Sequence, residues 1–275
     1  TSPCCLKISA SEILFTSCGT ESNNWILRNA IQNLNVKRII SSKVEHHAVL
    51  HTIEALQKDC SIAVDYVKIK LNGAIDISHL VELLTDGVPT LVSLMHVNNE
   101  IGTVLDLESI ARICKQHNAY FHTDAVQSVG KIAIDLQQLQ VDFLSASAHK
   151  FHGPKGIGFA FVRKGIALQP LFFGGEQEKG LRAGTESIHN IAGMAKALSL
   201  SYENLEEDCA YITDLKNYFI AQCDAHFPGY KINGNDQSFY NMINVLLPFD
   251  ESKTSMILFH LDMKGIAVSR GSACQ

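Results

Sequence analysis

Over the first two thirds of the chain, short unbroken apolar runs alternate with longer stretches in which apolar residues recur every three or four positions. The runs at 13–17, 38–42, 63–69, 91–97, 120–124, 143–148 and 158–163 have the length and bounded shape of buried strands. Between them, TESNNWILRNAIQNL places Trp25, Ile26, Ala30, Ile31 and Leu34 on one helical face, and HAVLHTIEALQK and LESIARICKQH repeat that spacing. Strands alternating with helices predict an α/β fold whose sheet is mostly parallel and covered by helices on both faces. Ligands of such sheets collect at the carboxyl ends of the strands. From about 188 to 225 the pattern is helical, as one long helix or two. Strands at 230–233, 241–248 and 266–269 and a helix near 252–263 then suggest part of a smaller α+β domain. The predicted division is 1–195 for the large domain and 196–275 for the small one.

Length and composition narrow the class. A chain of 275 residues with 46% hydrophobic and 19% charged positions reads as an ordinary globular protein that can bury a core without staples. A net charge of −5 argues against nucleic acid as a partner. No apolar run reaches the roughly 18 residues of a membrane span, and TSPCCLKISASE lacks the layout of a signal peptide. The eight cysteines are scattered, with no C-x-x-C pair, which predicts a reducing, cytoplasmic setting rather than a disulfide framework or a cysteine zinc site.

The polar residues at the predicted strand ends carry the chemistry. In SCGTESNN a strand runs into Gly19-Thr20 and a helix begins; this reads either as a plain N-cap or as an anion site built on free helix amides. In VEHHAVLH, His46 stands at a helix entrance, and His47 and His51 are spaced as a helical metal pair without a third ligand. MHVNNEIG brings Asn99 to a loop, and YFHTDAVQSVG ends an apolar strand on Asp124, with Gln127 three residues on. A carboxylate there needs a cation or hydrogen bonds unless it caps a helix. In SASAHKFHGPKG, Ser147, His149 and Lys150 close a buried run. A lysine there either snorkels to solvent or serves as a Schiff-base amine. GLRAGTES is a Gly-rich loop carrying Thr185. VSRGSACQ sets Cys274 in a small-residue context suited to attack chemistry. An amine, a buried acid, a ring-stacking histidine and a phosphate cradle are together the parts of a pyridoxal-phosphate site.

With FTSCGTESNN, EHHAVL, HVNNEIG, HTDAVQSVGK, SASAHKFHGPKGIG, LRAGTE and SRGSACQ in this order, the chain resembles the cysteine desulfurases with a GSAC motif, fold-type I pyridoxal-phosphate enzymes of the class-V aminotransferase family. The resemblance implies a covalent link between Lys150 and the cofactor aldehyde, and Asp124 on the pyridine nitrogen. It implies His46 stacked on the ring, Gln127 on the phenolic oxygen, and Asn99 on cofactor or substrate carboxylate. Gly19, Thr20, Ser147 and His149 would hold the phosphate. Thr185 would reach the phosphate of a neighbouring subunit in a homodimer, and Cys274 would take sulfur from L-cysteine as a persulfide and pass it to an acceptor such as an iron–sulfur scaffold protein. A selenocysteine lyase or another lyase or aminotransferase of the same cofactor class, and a non-catalytic scaffold that binds a sulfur acceptor, are the alternatives; a zinc protein using His46, His47 and His51 is a remote third. Measured against the family the chain reads as truncated at both ends, without the arginine that clamps the substrate carboxylate. Cys18 replaces a common glycine, Glu176 stands where a third glycine is expected, and Arg270 stands where serine is frequent.

Overall fold

The computed structural model describes residues 6–235, 238–250 and 254–270. Its centre is a seven-stranded sheet made of β1 (Ile13–Thr16), β2 (Arg38–Ser41), β3 (Ala63–Tyr66), β4 (Thr90–Ser93), β5 (Tyr120–Asp124), β6 (Phe143–Ser147) and β7 (Gly158–Val162). Six of the seven lie within the predicted runs, and β4 begins one residue before its own. The order is β1-β7-β6-β5-β4-β2-β3. The pairs from β6 across to β3 are parallel, and β7 runs antiparallel to both of its neighbours, so β1 points the same way as β6.

Consecutive residues of a strand point to opposite faces, and here both faces are filled. Ile39, Leu91, Phe143 and Ala160 pack under α1 (Gly19–Asn33) and α2 (His47–Cys60), with Trp25, Ile26, Val49 and Ile53. Their neighbours Ile40, Val92, Leu144 and Phe161 pack on the other face, with Leu80 and Leu84 of α3 (Ile77–Leu84), Ile110 of α4 (Leu107–Gln116) and Met194 of α5 (Ile188–Glu203). This is why β2, β4, β6 and β7 read as continuous apolar runs rather than alternating ones.

The helical stretch from 188 breaks into α5 and α6 (Leu205–His226) at Asn204, and Glu206, Glu207 and Asp208 favour the start of α6. A two-stranded antiparallel pair, β8 (Lys231–Ile232) and β9 (Val245–Leu246), and α7 (Ile257–Asp262) follow. The predicted strand at 266–269 is irregular instead. Ile266 and Val268 are exposed there, so no sheet face rewards pairing. The loop after β4 is the seam between this C-terminal part and the sheet. The Phe239 backbone N–H donates to the Gly102 carbonyl at 2.7 Å, and Asn244 Nδ2 donates to the Glu100 carbonyl at 3.0 Å. Gly102 has φ +70, and a Cβ there would sit 3.1 Å from the Phe239 nitrogen. Lys216 on α6 fastens the β8–β9 connection through the Ser238 and Phe239 carbonyls and Ser238 Oγ. No helix among the described residues is long and apolar enough to cross a membrane.

Two buried histidines join the strands. His122 lies between Ser93 Oγ, 2.8 Å from its Nδ1, and Ser145 Oγ, 3.1 Å from its Nε2. His96 Nδ1 lies 2.8 Å from Ser128 Oγ. Burial lowers His122 to about 3 and His96 to about 4, so both are neutral when folded. The unfolded chain binds protons at these sites as pH falls below about 6.5, so their contribution to stability is complete above that value and is lost toward the folded pKa values. The expected result in urea titrations is that the stability gap between wild type and His122→Asn shrinks between pH 6 and pH 4, by about 1.4 kcal/mol per pH unit at most. A gap independent of pH would show that His122 is protonated in the folded state.

Candidate active site

Five strand ends on one edge of the sheet open into a cavity of about 870 Å³. Of the predicted residues, Gly19, Thr20, His46, Asn99, Asp124, Gln127, Ser147, His149 and Lys150 line this one space. Thr185 lies elsewhere, beside a smaller cavity of about 90 Å³ shared with Thr16, Ser17 and Arg182. Cys274 falls outside the described residues; Arg270, just before them, lines the main cavity. The far wall is apolar, with Phe219, Leu247, Phe249, Ile257, Leu258 and Leu261.

At the end of β1 the chain turns at Cys18, the N-cap residue of α1, whose side chain makes no capping bond. The first-turn amides of α1 therefore keep no side-chain acceptor of their own. Gly19 is obligatory for packing: a Cβ would lie 2.5 Å from Val126 Cγ2. Gly158 at the start of β7 is as tightly placed: a Cβ there would lie 2.5 Å from the Ala146 carbonyl oxygen and 2.9 Å from the Cys18 carbonyl carbon. Ser147 ends β6 opposite Gly158, and its Oγ lies 2.9 Å from His149 Nδ1. His149 and Lys150 sit in a 3-10 turn, Ala148–Phe151, closed by the Gly153 N–H on the Ala148 carbonyl at 2.9 Å. Burial, then the positive charges of Lys150, Lys155 and Lys131, hold the His149 imidazole below its usual range. This end of the cavity favours an anion.

Asp124 ends β5 as a buried carboxylate. Val126 N–H donates to its Oδ1 at 3.0 Å and Asn23 Nδ2 to its Oδ2 at 2.7 Å. Among the described residues it has no salt-bridge partner. Burial raises its pKa, against the two hydrogen bonds and the attraction of His46 and Lys150. His46 caps α2 from the end of β2; its Nδ1 accepts the Ala48 N–H at 3.1 Å, which leaves Nε2 to carry the proton of the neutral ring.

Asn23 and Glu100 also line the cavity and escaped the sequence reading. Asn23 is 1% exposed, and its Oδ1 has no hydrogen-bond partner. Its one signal was a polar position inside the predicted helix of TESNN, which reads equally as an exposed face. Among the described residues no group of three or more His, Cys, Asp and Glu side chains is placed to hold a metal ion, and Cys18, Cys60, Cys114, Cys209 and Cys223 are unpaired.

The donor set fits pyridoxal phosphate. Free helix amides with Thr20, Ser147 and His149 suit a phosphate, and the glycine-lined cradle admits it closely. A buried carboxylate without a cation suits a protonated pyridine nitrogen. The half-buried amine of Lys150 opens onto the same space.

Comparison with known proteins agrees. The family model described as aminotransferase class-V matches residues 5–275. The chain is 42% identical over 268 residues to the cysteine desulfurase IscS of Dictyoglomus turgidum, covering 96% of this chain and 67% of that one. It is 41% identical over 273 residues to the cysteine desulfurase IscS of Clostridium botulinum, covering 98% and 68%. It thus spans about two thirds of these relatives' length. Among solved structures, a NifS-like protein superposes with a TM-score of 0.89 at 39% identity, covering 96% of this chain and 72% of that one. SspA in complex with cysteine superposes at 0.82 and 32% identity, covering 98% and 74%.

Gly158→Ala is expected to push the Cys18–Gly19 backbone out of place and to weaken pyridoxal-phosphate binding by about tenfold or more, read from the visible absorbance during cofactor titration. Unchanged affinity would mean that this cradle does not hold the phosphate.

Proposed function

The chain belongs to the class-V aminotransferase family, and we propose on that premise that it is a pyridoxal-phosphate-dependent cysteine desulfurase, converting L-cysteine to L-alanine and leaving the sulfur as a persulfide on Cys274. The observation that carries the site assignment is the convergence of Asp124, Lys150 and an anion cradle on one cavity.

The α1 amides, Gly19, Thr20, Ser147 and His149 hold the phosphate. Asp124 accepts the pyridine N–H at its carboxylate, His46 covers the ring face, and Gln127 donates to the phenolic oxygen. Asn99 serves the cofactor or the substrate carboxylate. The cofactor, when bound, supplies an aldehyde that condenses with amines and a ring that takes up the electron pair released at the substrate Cα. Lys150 would anchor the cofactor and would hold, at its Nζ, the proton that leaves the substrate Cα and is returned there before alanine departs. Lys150 is carried by the turn between β6 and β7. Cys274 Sγ, as the thiolate, attacks the substrate sulfur. An S–S bond forms as the carbon–sulfur bond breaks, and the electron pair left on carbon takes up a proton to complete the methyl group of alanine. The persulfide is a reversible sulfur store, handed to an acceptor such as an iron–sulfur scaffold protein.

The large cofactor-binding unit comprises residues 1–195 and the smaller unit 196–275, with α5 bridging them. Thr185, away from its own cavity and exposed, serves the phosphate of a second subunit in a homodimer. The unpaired cysteines support a reducing, cytoplasmic setting.

With cysteine and dithiothreitol, sulfide and alanine should appear in equal amounts. Lys150→Ala is expected to lose the visible band of the bound cofactor's covalent link and all turnover. Cys274→Ala is expected to keep the band and lose sulfide production by a factor of about 10² or more, the scale of removing a nucleophile. Turnover that survives Cys274→Ala would exclude it as the sulfur acceptor.

A further inference from the structure

Glu45, next to His46, is a carboxyl that the reaction does not use. It is 6% exposed on the turn between β2 and α2. Ser42 Oγ donates to its Oε1 at 2.7 Å, the Met95 backbone amide stabilises the same carboxyl, and Oε2 is buried with no partner. The turn is held from the β4 side as well: Asn98 Nδ2 donates to the Val44 carbonyl at 3.0 Å, and Asn98 Oδ1 accepts the Glu100 and Ile101 N–H groups. Thus the four residues that lead from β2 to His46 are braced by the Ser42–Glu45 bond and, at Val44 and Glu45, tied to the segment 95–98, where Met95 lines the cavity with the adjoining Asn99.

We propose that Glu45 is a positioning residue: it acts as an uncharged strut between Ser42 and the end of β4 that sets where the His46 ring stands in the cavity. The proposal rests on the cofactor reading for its purpose, not for its geometry. Several observations favour the uncharged form. No cation pairs with Glu45 among the described residues. The charge that most affects it is the like charge of Asp124. Burial, reinforced by Asp124, raises its pKa to about 8 even though Ser42 and Met95 oppose the shift. A neutral carboxyl leaves one proton on a buried oxygen, whereas an ionised one leaves an unpaired buried charge, which costs far more. His46 needs such a strut because its own tie to the helix, Nδ1 to the Ala48 N–H, fixes the ring's tilt but not the position of the turn that carries it.

The test uses the full chain labelled with 13C at histidine Cε1. The His46 ring peak in the cofactor-free protein is identified by its loss in His46→Ala. Glu45→Gln, neutral and of the same shape, should overlay the wild-type spectrum. Glu45→Ala should displace the His46 peak while the peaks of the core histidines His96 and His122 stay in place. Ser42→Ala, which removes only the donor, should move the same peak the same way and guards against a Glu45→Ala chain that fails to fold. In pyridoxal-phosphate titrations Glu45→Ala should bind about tenfold more weakly, the cost of losing one buried hydrogen-bonded partner, and should cost nothing further in a His46→Ala background. An unmoved His46 peak in both Glu45→Ala and Ser42→Ala overturns the proposal. So does a Glu45→Gln spectrum displaced as far as that of Glu45→Ala, since the charge would then be what matters. If the wild-type chain shows no visible cofactor band, the cofactor reading fails while the ring spectra still decide the strut.

Discussion

The Asp124 carboxylate is the constraint around which the site is organised. An ionised carboxyl removed from water is held only by charge or hydrogen bonds. Asp124 has two hydrogen bonds, from Val126 and Asn23, and among the described residues it has no cation in direct contact. Burial pushes its pKa up, and the attraction of His46 and Lys150 opposes this. On the proposed reading, a protonated pyridine nitrogen would supply what the protein omits. Binding that group and stabilising that charge would then be one event, and Asp124 would keep the ring protonated.

The sheet makes this possible. Its strands are covered on both faces, so polar side chains along their length are few and most are paired, as Ser93, His122 and Ser145 are, with the buried Thr123 Oγ1 an exception. Functional groups are confined to the strand ends, and five of those ends share one edge. The antiparallel β7 adds rigidity where the chemistry needs it. Ser147 and Gly158 are register partners, so Lys150 sits in a connection whose two ends are pinned to each other. The Ala148 N–H donates to the Ile157 carbonyl at 3.1 Å and the Gly153 N–H to the Ala148 carbonyl, which tightens the turn from within. The amine is thereby delivered on a short, braced loop rather than on a long one.

Much of this was legible in the residues. Buried strands in a two-face-covered sheet announce themselves as unbroken apolar runs, and all seven were found. Polar residues that end such runs are conspicuous because the runs are so apolar, which is why nine of the ten proposed cofactor contacts share one cavity. Asn23 and Glu45 were illegible for the opposite reason. Each sits where a polar residue is unremarkable, inside an amphipathic helix or in a turn, and only tertiary packing buries it. The strand expected at 266–269 failed because apolar alternation predicts a strand only where a sheet edge and a covering layer exist. The division of the 188–225 helix at Asn204 depended on acidic residues whose preference for a helix start competes with ordinary helix propensity.

The two buried carboxyls explain each other. Asp124 and Glu45 lie close enough that the first raises the pKa of the second, and two charges in one dry region cannot both be cheap. The environments assign the roles. Asp124 faces the cavity, takes two N–H donors and feels His46 and Lys150, so it is the one suited to hold charge. Glu45 takes a hydroxyl donor and a backbone amide, has one oxygen with no partner, and feels Asp124 as a like charge, so it is the one suited to hold a proton. Pairs of acids driven apart in this way serve different ends. On the proposed reading, the charged member would meet the cofactor ring at its nitrogen, while the neutral member would act at one remove by fixing the turn that carries His46. A negative charge at position 45 would undercut both tasks. It would repel the charge on Asp124 and draw water into the turn that carries the histidine.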